Sequence, residues 1–196
     1  MNGIAMTQPF TPARPIGVFD SGIGGLTVVR QLRAALPEED IVYLGDSARV
    51  PYGIKSLDTV RRFALECMAF LLRFEPKLIV VACNSASAAA VDALEQRCPV
   101  GVVDVIRPSA AAALTCGPGP VGVIATEATV ASGAYQREIR LRDADREVHA
   151  VSCPLLVPIV EEGRETDDPI VLHVLGDYLP PLQRARPVSL VLGCTH

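Results

Sequence analysis

The chain has 196 residues, enough for one large domain or two small ones with a real core. Apolar residues make up 49% and charged residues 20%, as in ordinary soluble globular proteins. The net charge is −4 and no run of five or six Lys or Arg occurs, so nothing favours nucleic-acid binding. The longest weakly polar stretch, 78–91, is shorter than a membrane span, and residues 1–15 lack a signal-peptide pattern. We therefore expect a cytoplasmic protein with no membrane segment.

Six cysteines are spread along the chain without a Cys-x-x-Cys pair. In a reducing compartment they predict free thiols instead of disulfides, and their spacing does not favour a zinc ribbon. They stand at Cys67, Cys83, Cys98, Cys116, Cys153 and Cys194.

Short apolar runs alternate with helical patterns along the chain, which predicts an α/β fold with mostly parallel sheets and flanking helices. Helices are predicted through Leu26 to Leu36, over 59–73 and from near Ser85. Two Gly and two Pro in 115–120 predict a junction between halves. The predicted strands are 16–19, 41–44, 78–82, 100–105, 121–125, 147–151 and 190–192.

Three of these strands, the ones before Asp20, Cys83 and Cys194, end in small polar constellations. Ligands of open α/β sheets bind outside the carboxyl ends of the strands. We therefore expect these three strand ends to meet at one crevice.

Cys83 stands between an apolar strand and a predicted helix. A helix N-terminus carries unpaired N–H groups and about half a positive charge, which lowers a thiol pKa from about 8.5 toward neutrality. We therefore expect a lowered pKa at Cys83. The alternative is a small buried core residue, since free Cys is among the most buried residue types.

Cys194 also ends an apolar strand and is followed by Thr195 and His196. A Cys-x-His pair invites a metal site, but His149 and His173 do not have ligand spacing to it. The placement therefore favours a second thiol like Cys83 over a metal ligand.

The segment 20–26, DSGIGGL, is a Gly-rich turn from strand to helix. Such turns can cradle phosphate, but this one matches neither GxGxxG nor GxxxxGK[ST], and Asp20 would repel a phosphate. We favour a turn that directs the Asp20 carboxylate and backbone amides into a crevice. Nucleotide binding and a purely structural turn are the alternatives.

Two later segments also follow strands. In 45–53, GDSARVPYG, a loop with Asp46, Tyr52 and Gly53 either closes over a small ligand or is an ordinary surface loop. In 153–163, CPLLVPIVEEG, Glu161 follows an apolar run broken by Pro. It acts either as an acid or base partner or as a solvated residue at a helix start.

Taken in order, the motifs DSGIGGL, GDxxRxPYG, ACNSA, CPLLVPxVE and LGCTH resemble the signatures of the glutamate racemases, from Pro15 to His196. The resemblance implies two similar α/β domains with glutamate bound between them, and no pyridoxal phosphate or metal. It also implies a cytoplasmic enzyme that supplies D-glutamate for peptidoglycan, and hence for cell wall and cell shape. Relatives are often dimers, which implies a homodimer.

By position, the resemblance implies that Cys83 and Cys194 are two catalytic thiols, assisted by polar residues at Asp20, Glu161 and His196. Asp46 matches an acidic position without an assigned role, and Ser85 stands where relatives usually have Thr, with the hydroxyl retained. The implied substrate contacts are Asp20, Ser21, Tyr52, Gly53, Asn84, Ser85, Thr195 and His196.

We expect an N-terminal tail at 1–14, a first domain at 15–112 with Cys83, and a second at 113–196 with Cys194. Relatives continue past Cys–Thr–His, so the C-terminal part of the second domain is expected to be missing. Whether the chain ending at His196 is active is left open at this point.

Racemisation removes a proton from one face of the α-carbon and returns one to the other face. Two opposed thiols, one deprotonated and one protonated, can do this without moving, because their free pKa lies near operating pH. We expect cofactor-independent racemisation of L-glutamate to D-glutamate. The alternatives are a racemase of aspartate or another amino acid, and an inactive fragment that only binds ligand.

Overall fold

A computed structural model describes residues 14–196 as two parallel β-sheets flanked by helices. The expected tail lies outside the described residues except for Arg14. None of the described helices is long and apolar enough to cross a membrane. The described strands are β1 (Ile16–Asp20), β2 (Ile41–Gly45), β3 (Leu78–Val81), β4 (Gly101–Asp104), β5 (Val121–Ala125), β6 (Val148–Ser152) and β7 (Ser189–Gly193).

Helices connect these strands, and a short 3-10 helix, Leu72–Phe74, extends the second of them. Hydroxyl or carboxylate N-caps start several helices, as Ser56 does by accepting a hydrogen bond from the Thr59 N–H. The described α-helices are α1 (Leu26–Ala35), α2 (Leu57–Leu71), α3 (Asn84–Arg97), α4 (Ile106–Leu114), α5 (Glu127–Ser132), α6 (Ala134–Arg140), α7 (Leu156–Glu161), α8 (Pro169–Tyr178) and α9 (Pro180–Ala185).

The first sheet has the strand order β2-β1-β3-β4, all parallel. Successive side chains of a strand point to opposite faces. Val18 and Val80 accordingly pack with residues of α1, whereas Phe19 and Val81 join the core formed with α2 and α3. The sheet is therefore covered on both faces, which explains its continuous apolar strands.

The second sheet has the order β6-β5-β7 and is also parallel. Ile106 and Ala110 of α4 belong to its core, together with Val123 and Ile139. The expected domain boundary between residues 112 and 113 therefore falls inside a helix that packs with the second sheet. The Gly- and Pro-rich segment 115–120 is a turn between α4 and β5, and α4 before it already contributes to the second core.

The α/β prediction is confirmed, and each predicted strand is present with its ends shifted by at most one residue. Both sheets share one topological feature. From β1 the chain passes to β2 on one side and later to β3 on the other, and β5 is flanked by β6 and β7 in the same way. Such switch points form crevices at the carboxyl ends of the strands. Asp20 and Cys83 lie at the first, and Thr126 and Cys194 at the second.

Candidate active site

A small cavity lies where these two switch points face each other. Pro51, Thr126 and Val157 contribute to its wall. The sequence-predicted residues that line it are Ser21, Tyr52, Gly53, Cys83, Asn84, Ser85, Cys194, Thr195 and His196.

Asp20 lies behind this wall and is fully buried at the end of β1. Its carboxylate accepts a hydrogen bond from the Gly22 N–H at 3.0 Å and one from the Thr195 hydroxyl at 3.4 Å. A Cβ added at Gly25 would come within 2.4 Å of the Asp20 Cβ, so only glycine fits there. Burial raises the pKa of Asp20, although the surrounding N–H groups and His196 oppose the rise.

Cys83 is the N-cap of α3, and its sulfur accepts a hydrogen bond from the Ala86 N–H at 3.4 Å. Burial, followed by the Asp20 charge, raises its pKa to about 12, while the bonds from Ala86 and Ser21 act in the opposite direction. The expectation of a lowered pKa is therefore wrong. The thiol does occupy the helix N-terminus, but the loss of hydration there outweighs the helix dipole.

Cys194 follows β7 and is only partly buried. His196 approaches its sulfur twice, with Nδ1 at 3.7 Å and the backbone N–H at 3.5 Å. The Nε2 atom of His196 lies 3.1 Å from a carboxylate oxygen of Glu161, the last residue of α7. Glu161 thus reaches the site through the imidazole, without lining the cavity. The hydrogen bond with Cys194 and the charge of Glu161 raise the pKa of His196 above its usual value, against the effect of burial.

Ser85 connects the two units of the molecule, each built around one of the two sheets, beside the cavity. Its hydroxyl lies 2.9 Å from that of Thr126 and 3.5 Å from that of Thr129, and the two threonine hydroxyls are 3.1 Å apart. The Ala128 N–H also donates to the carbonyl of Gly53 at 3.0 Å. Thr126 was not predicted from the sequence, although its position directly after the predicted strand 121–125 was a usable signal.

Tyr52 is 1% exposed, so the loop that carries it is not an ordinary surface loop. Its hydroxyl donates to the Asp46 carboxylate, which also accepts from Arg49 Nε at 2.6 Å. The sulfur of Cys67 lies 3.8 Å from the same hydroxyl. Burial and the bond to Asp46 raise the pKa of Tyr52, so the phenol remains neutral. Asp46 therefore acts on the site by holding Tyr52.

Within residues 14–196, no group of three or more His, Cys, Asp or Glu is arranged to hold a metal ion. A larger cavity of about 410 Å³ lies along α3, α4 and α6, but neither Cys83 nor Cys194 lines it. Its Arg107 is paired with Glu95 and Glu138. The small cavity is therefore the place where reactive groups converge.

Comparisons with known proteins identify the family. The family model described as Asp/Glu/Hydantoin racemase matches residues 24–196. The glutamate racemase of Geobacter metallireducens is 50% identical over 187 residues, which cover 94% of this chain and 68% of that protein.

Solved structures give the same result. A glutamate racemase isoform from Bacillus anthracis superposes with a TM-score of 0.90 at 40% identity, covering 95% of this chain and 70% of that one. The glutamate racemase of Francisella tularensis, in complex with D-glutamate, has a TM-score of 0.89 at 44% identity with the same coverage. The chain therefore belongs to the Asp/Glu/hydantoin racemase family of isomerases, and within it to the glutamate racemases.

Proposed function

We propose that this chain interconverts L- and D-glutamate by a two-thiol mechanism without a cofactor. The observation that carries the proposal is the placement of Cys83 and Cys194. One cysteine from each unit lines the same small cavity, and the cavity wall between them is otherwise rich in hydroxyl and amide groups. This is the arrangement that proton exchange at an α-carbon requires.

In each turnover the thiolate of one cysteine takes the α-proton from one face, and the electron pair stays on the substrate as a carbanion conjugated with its carboxylate. The thiol of the other cysteine then donates its proton to the opposite face. No net proton or electron is consumed, and the two cysteines have exchanged protonation states. The raised pKa of Cys83, about 12, supports Cys83 as the protonated thiol of the resting site.

Polar groups around the cavity are proposed to stabilise the carbanion. Positioned donors in a site shielded from water are the largest stabilising contribution in many enzymes. The first turn of α3 presents N–H groups beside Cys83, and the side chains of Ser21, Asn84, Ser85 and Thr195 line the cavity. Thr126 joins this set through its position on the cavity wall.

Three side chains are proposed to act through the thiols. Asp20 lies close enough for its charge to raise the pKa of Cys83, and its own carboxyl has a raised pKa, so it can hold a proton nearby. His196 bonds the sulfur of Cys194 and is itself held by Glu161. His196 therefore connects Glu161 to the thiol of Cys194, the second acid/base group of the proposed mechanism.

Isotope exchange tests the proposal. In D₂O, glutamate incubated with the chain is expected to gain deuterium at the α-carbon as it racemises, measured by proton NMR and circular dichroism. Aspartate run in parallel is expected to exchange far more slowly. Binding of glutamate with no deuterium incorporation would contradict catalysis, and faster exchange of aspartate would contradict the substrate.

We also propose the cellular role that the family resemblance implies: supply of D-glutamate for peptidoglycan in the cytoplasm, by a homodimer. Expression of the chain should restore growth of a bacterium that requires external D-glutamate, while a Cys83→Ala variant should not. Sedimentation of the purified chain measures the oligomeric state separately.

A further inference from the structure

Tyr135 is a buried tyrosine of α6 that connects the surroundings of both thiols. It is 2% exposed, and its hydroxyl accepts a hydrogen bond from the side-chain nitrogen of Asn84 at 2.7 Å. Asn84 is the first residue of α3, directly after Cys83, and lines the small cavity. The hydrogen bond therefore runs from the second unit to a cavity residue of the first.

The ring of Tyr135 packs against the end of β7, the strand that precedes Cys194. A Cβ added at Gly193 would come within 3.1 Å of the ring's Cε2 atom. Gly193 is the last residue of β7 and precedes Cys194. A single side chain thus supports the backbone beside Cys194 and holds the amide beside Cys83.

An asparagine amide has two N–H donors on its nitrogen and one oxygen acceptor, and the partner of the nitrogen fixes the side on which the oxygen lies. The phenol engages the nitrogen of Asn84. The amide oxygen is then the atom of this side chain that remains for a ligand in the cavity. An oxygen acceptor suits the ammonium group of an amino acid, which only donates.

We propose that Tyr135 is a positioning residue that orients Asn84 so that its amide oxygen accepts a hydrogen bond from the substrate's ammonium group. This inference rests on the proposed function, because it assigns a substrate contact to the same site. Burial raises the pKa of Tyr135 to about 12, so the phenol is neutral at neutral pH and keeps this role.

Removal of the hydroxyl alone separates positioning from packing. Tyr135→Phe keeps the ring against Gly193 but leaves the Asn84 nitrogen without its partner. The loss of one neutral hydrogen bond corresponds to roughly a fivefold change. We expect KM for glutamate to rise by about that factor with kcat nearly unchanged, because the contact with the ammonium group is made equally in ground state and transition state.

The matched control is Tyr178→Phe, which removes a half-buried phenol that accepts from the Leu155 N–H at 3.3 Å, away from the cavity. It should leave kcat and KM unchanged. A double-mutant cycle gives the sharper result. In an Asn84→Ala background, Tyr135→Phe should have no further effect on KM, since the residue through which it acts is gone.

An unchanged KM in Tyr135→Phe, or the same KM increase in the Asn84→Ala background, would overturn the positioning role. Hydrogen exchange of the Asn84 side-chain amide in the unsubstituted chain needs no variant: protection supports the bond, and exchange as fast as an exposed amide overturns it. If the unsubstituted chain binds but does not racemise glutamate, the proposed function is contradicted while the role of Tyr135 is not. The same comparison of variants by calorimetric Kd then tests Tyr135.

Discussion

The two thiols occupy equivalent places in the two units but very different surroundings. Cys83 is buried at a helix N-terminus with the Asp20 carboxylate beside it, and its pKa is raised to about 12. Cys194 is partly exposed and is bonded to an imidazole that is itself held by Glu161. Equal topology therefore does not give equal chemistry. The proposed mechanism needs one thiol and one thiolate, and burial favours the thiol form at Cys83.

The contrast also shows which physical effect dominates at Cys83. A helix N-terminus stabilises a negative charge by about 0.3–1 kcal/mol, up to about 2 kcal/mol in favourable geometry. Full burial can shift a pKa by about 3–5 units, which is several kcal/mol. A nearby carboxylate adds repulsion to the burial effect. Helix position alone therefore could not predict the protonation state of this thiol.

The largest expected effect comes from removing either thiol. Cys83→Ala and Cys194→Ala should each lower kcat for glutamate racemisation by at least about 10²–10⁴-fold, the contribution of a positioned acid or base. Circular dichroism of the reaction measures both variants. Cys98→Ala, a half-buried cysteine outside the cavity, is the control and should be active. Near-normal racemisation by either site variant would contradict the two-thiol mechanism.

Asp20→Asn should change activity and stability in opposite directions. The folded-state pKa of Asp20 is raised by burial, so its contribution to stability is complete below about pH 3.9, the ordinary Asp value, and is lost as the pH rises through the raised pKa. A neutral Asn avoids that loss. At neutral pH we therefore expect a higher melting temperature than in the unsubstituted chain, with the difference vanishing in acid.

The same substitution should lower kcat/KM by about 10²-fold, the lower end of the range for positioned acid–base groups. It should also lower the pKa of Cys83, because a repelling carboxylate is removed. The rate of alkylation of Cys83 as a function of pH measures that change. The control is Asp145→Asn, at an exposed position. An Asp20→Asn variant less stable than the unsubstituted chain at neutral pH would show that burial does not dominate at this carboxyl.

A smaller effect is expected from Glu161→Gln. The Glu161 carboxylate stabilises the protonated imidazole of His196, so its removal should lower the pKa of His196 toward the ordinary value of about 6.5. NMR titration of His196 measures this directly, and a loss of a few-fold in kcat should accompany it. Glu162→Gln, the exposed neighbour, should change neither quantity. A His196 pKa that is the same in both variants would show that Glu161 does not stabilise the protonated imidazole.

The smallest expected effect concerns the connection between the units. Ser85→Ala removes one hydroxyl from the buried group of three, but Thr126 and Thr129 keep their mutual contact. We expect a loss of about 1 kcal/mol in the free energy of unfolding, the typical net value of one hydrogen bond. Chemical denaturation measures it, with exposed Ser47→Ala as the control. An unchanged stability would mean that Ser85 contributes no net hydrogen bond between the units.

Much of the fold could be predicted because buried parallel strands are short apolar runs bounded by polar turns. The runs before Asp20, Cys83 and Cys194 gave both the strands and the strand ends that meet at the cavity. The boundary expected between residues 112 and 113 stays a prediction, because Gly and Pro at 115–120 signal a turn without saying which sheet α4 packs against. That choice depends on long-range contacts.

The candidate site was predicted in part for a similar reason. Residues that stand in motifs were found, but Thr126, which follows β5, and Tyr135, which lies within α6, stand outside those motifs. Their roles come from partners 41 and 51 positions away, Ser85 and Asn84. The raised pKa of Cys83 was missed for another reason, since burial is a property of the assembled core. Local pattern identifies the groups, and tertiary packing decides their state.

The burial of Cys83 has a consequence for how oxidants and electrophiles attack the protein. Peroxides and alkylating agents attack thiolates that solvent can reach, and a protonated, covered thiol is a poor target. Cys83 should therefore be protected while the two units stay closed. Partly exposed Cys194, with an imidazole at its sulfur, offers the easier point of entry for an electrophile. A covalent inhibitor designed for this protein should aim there first.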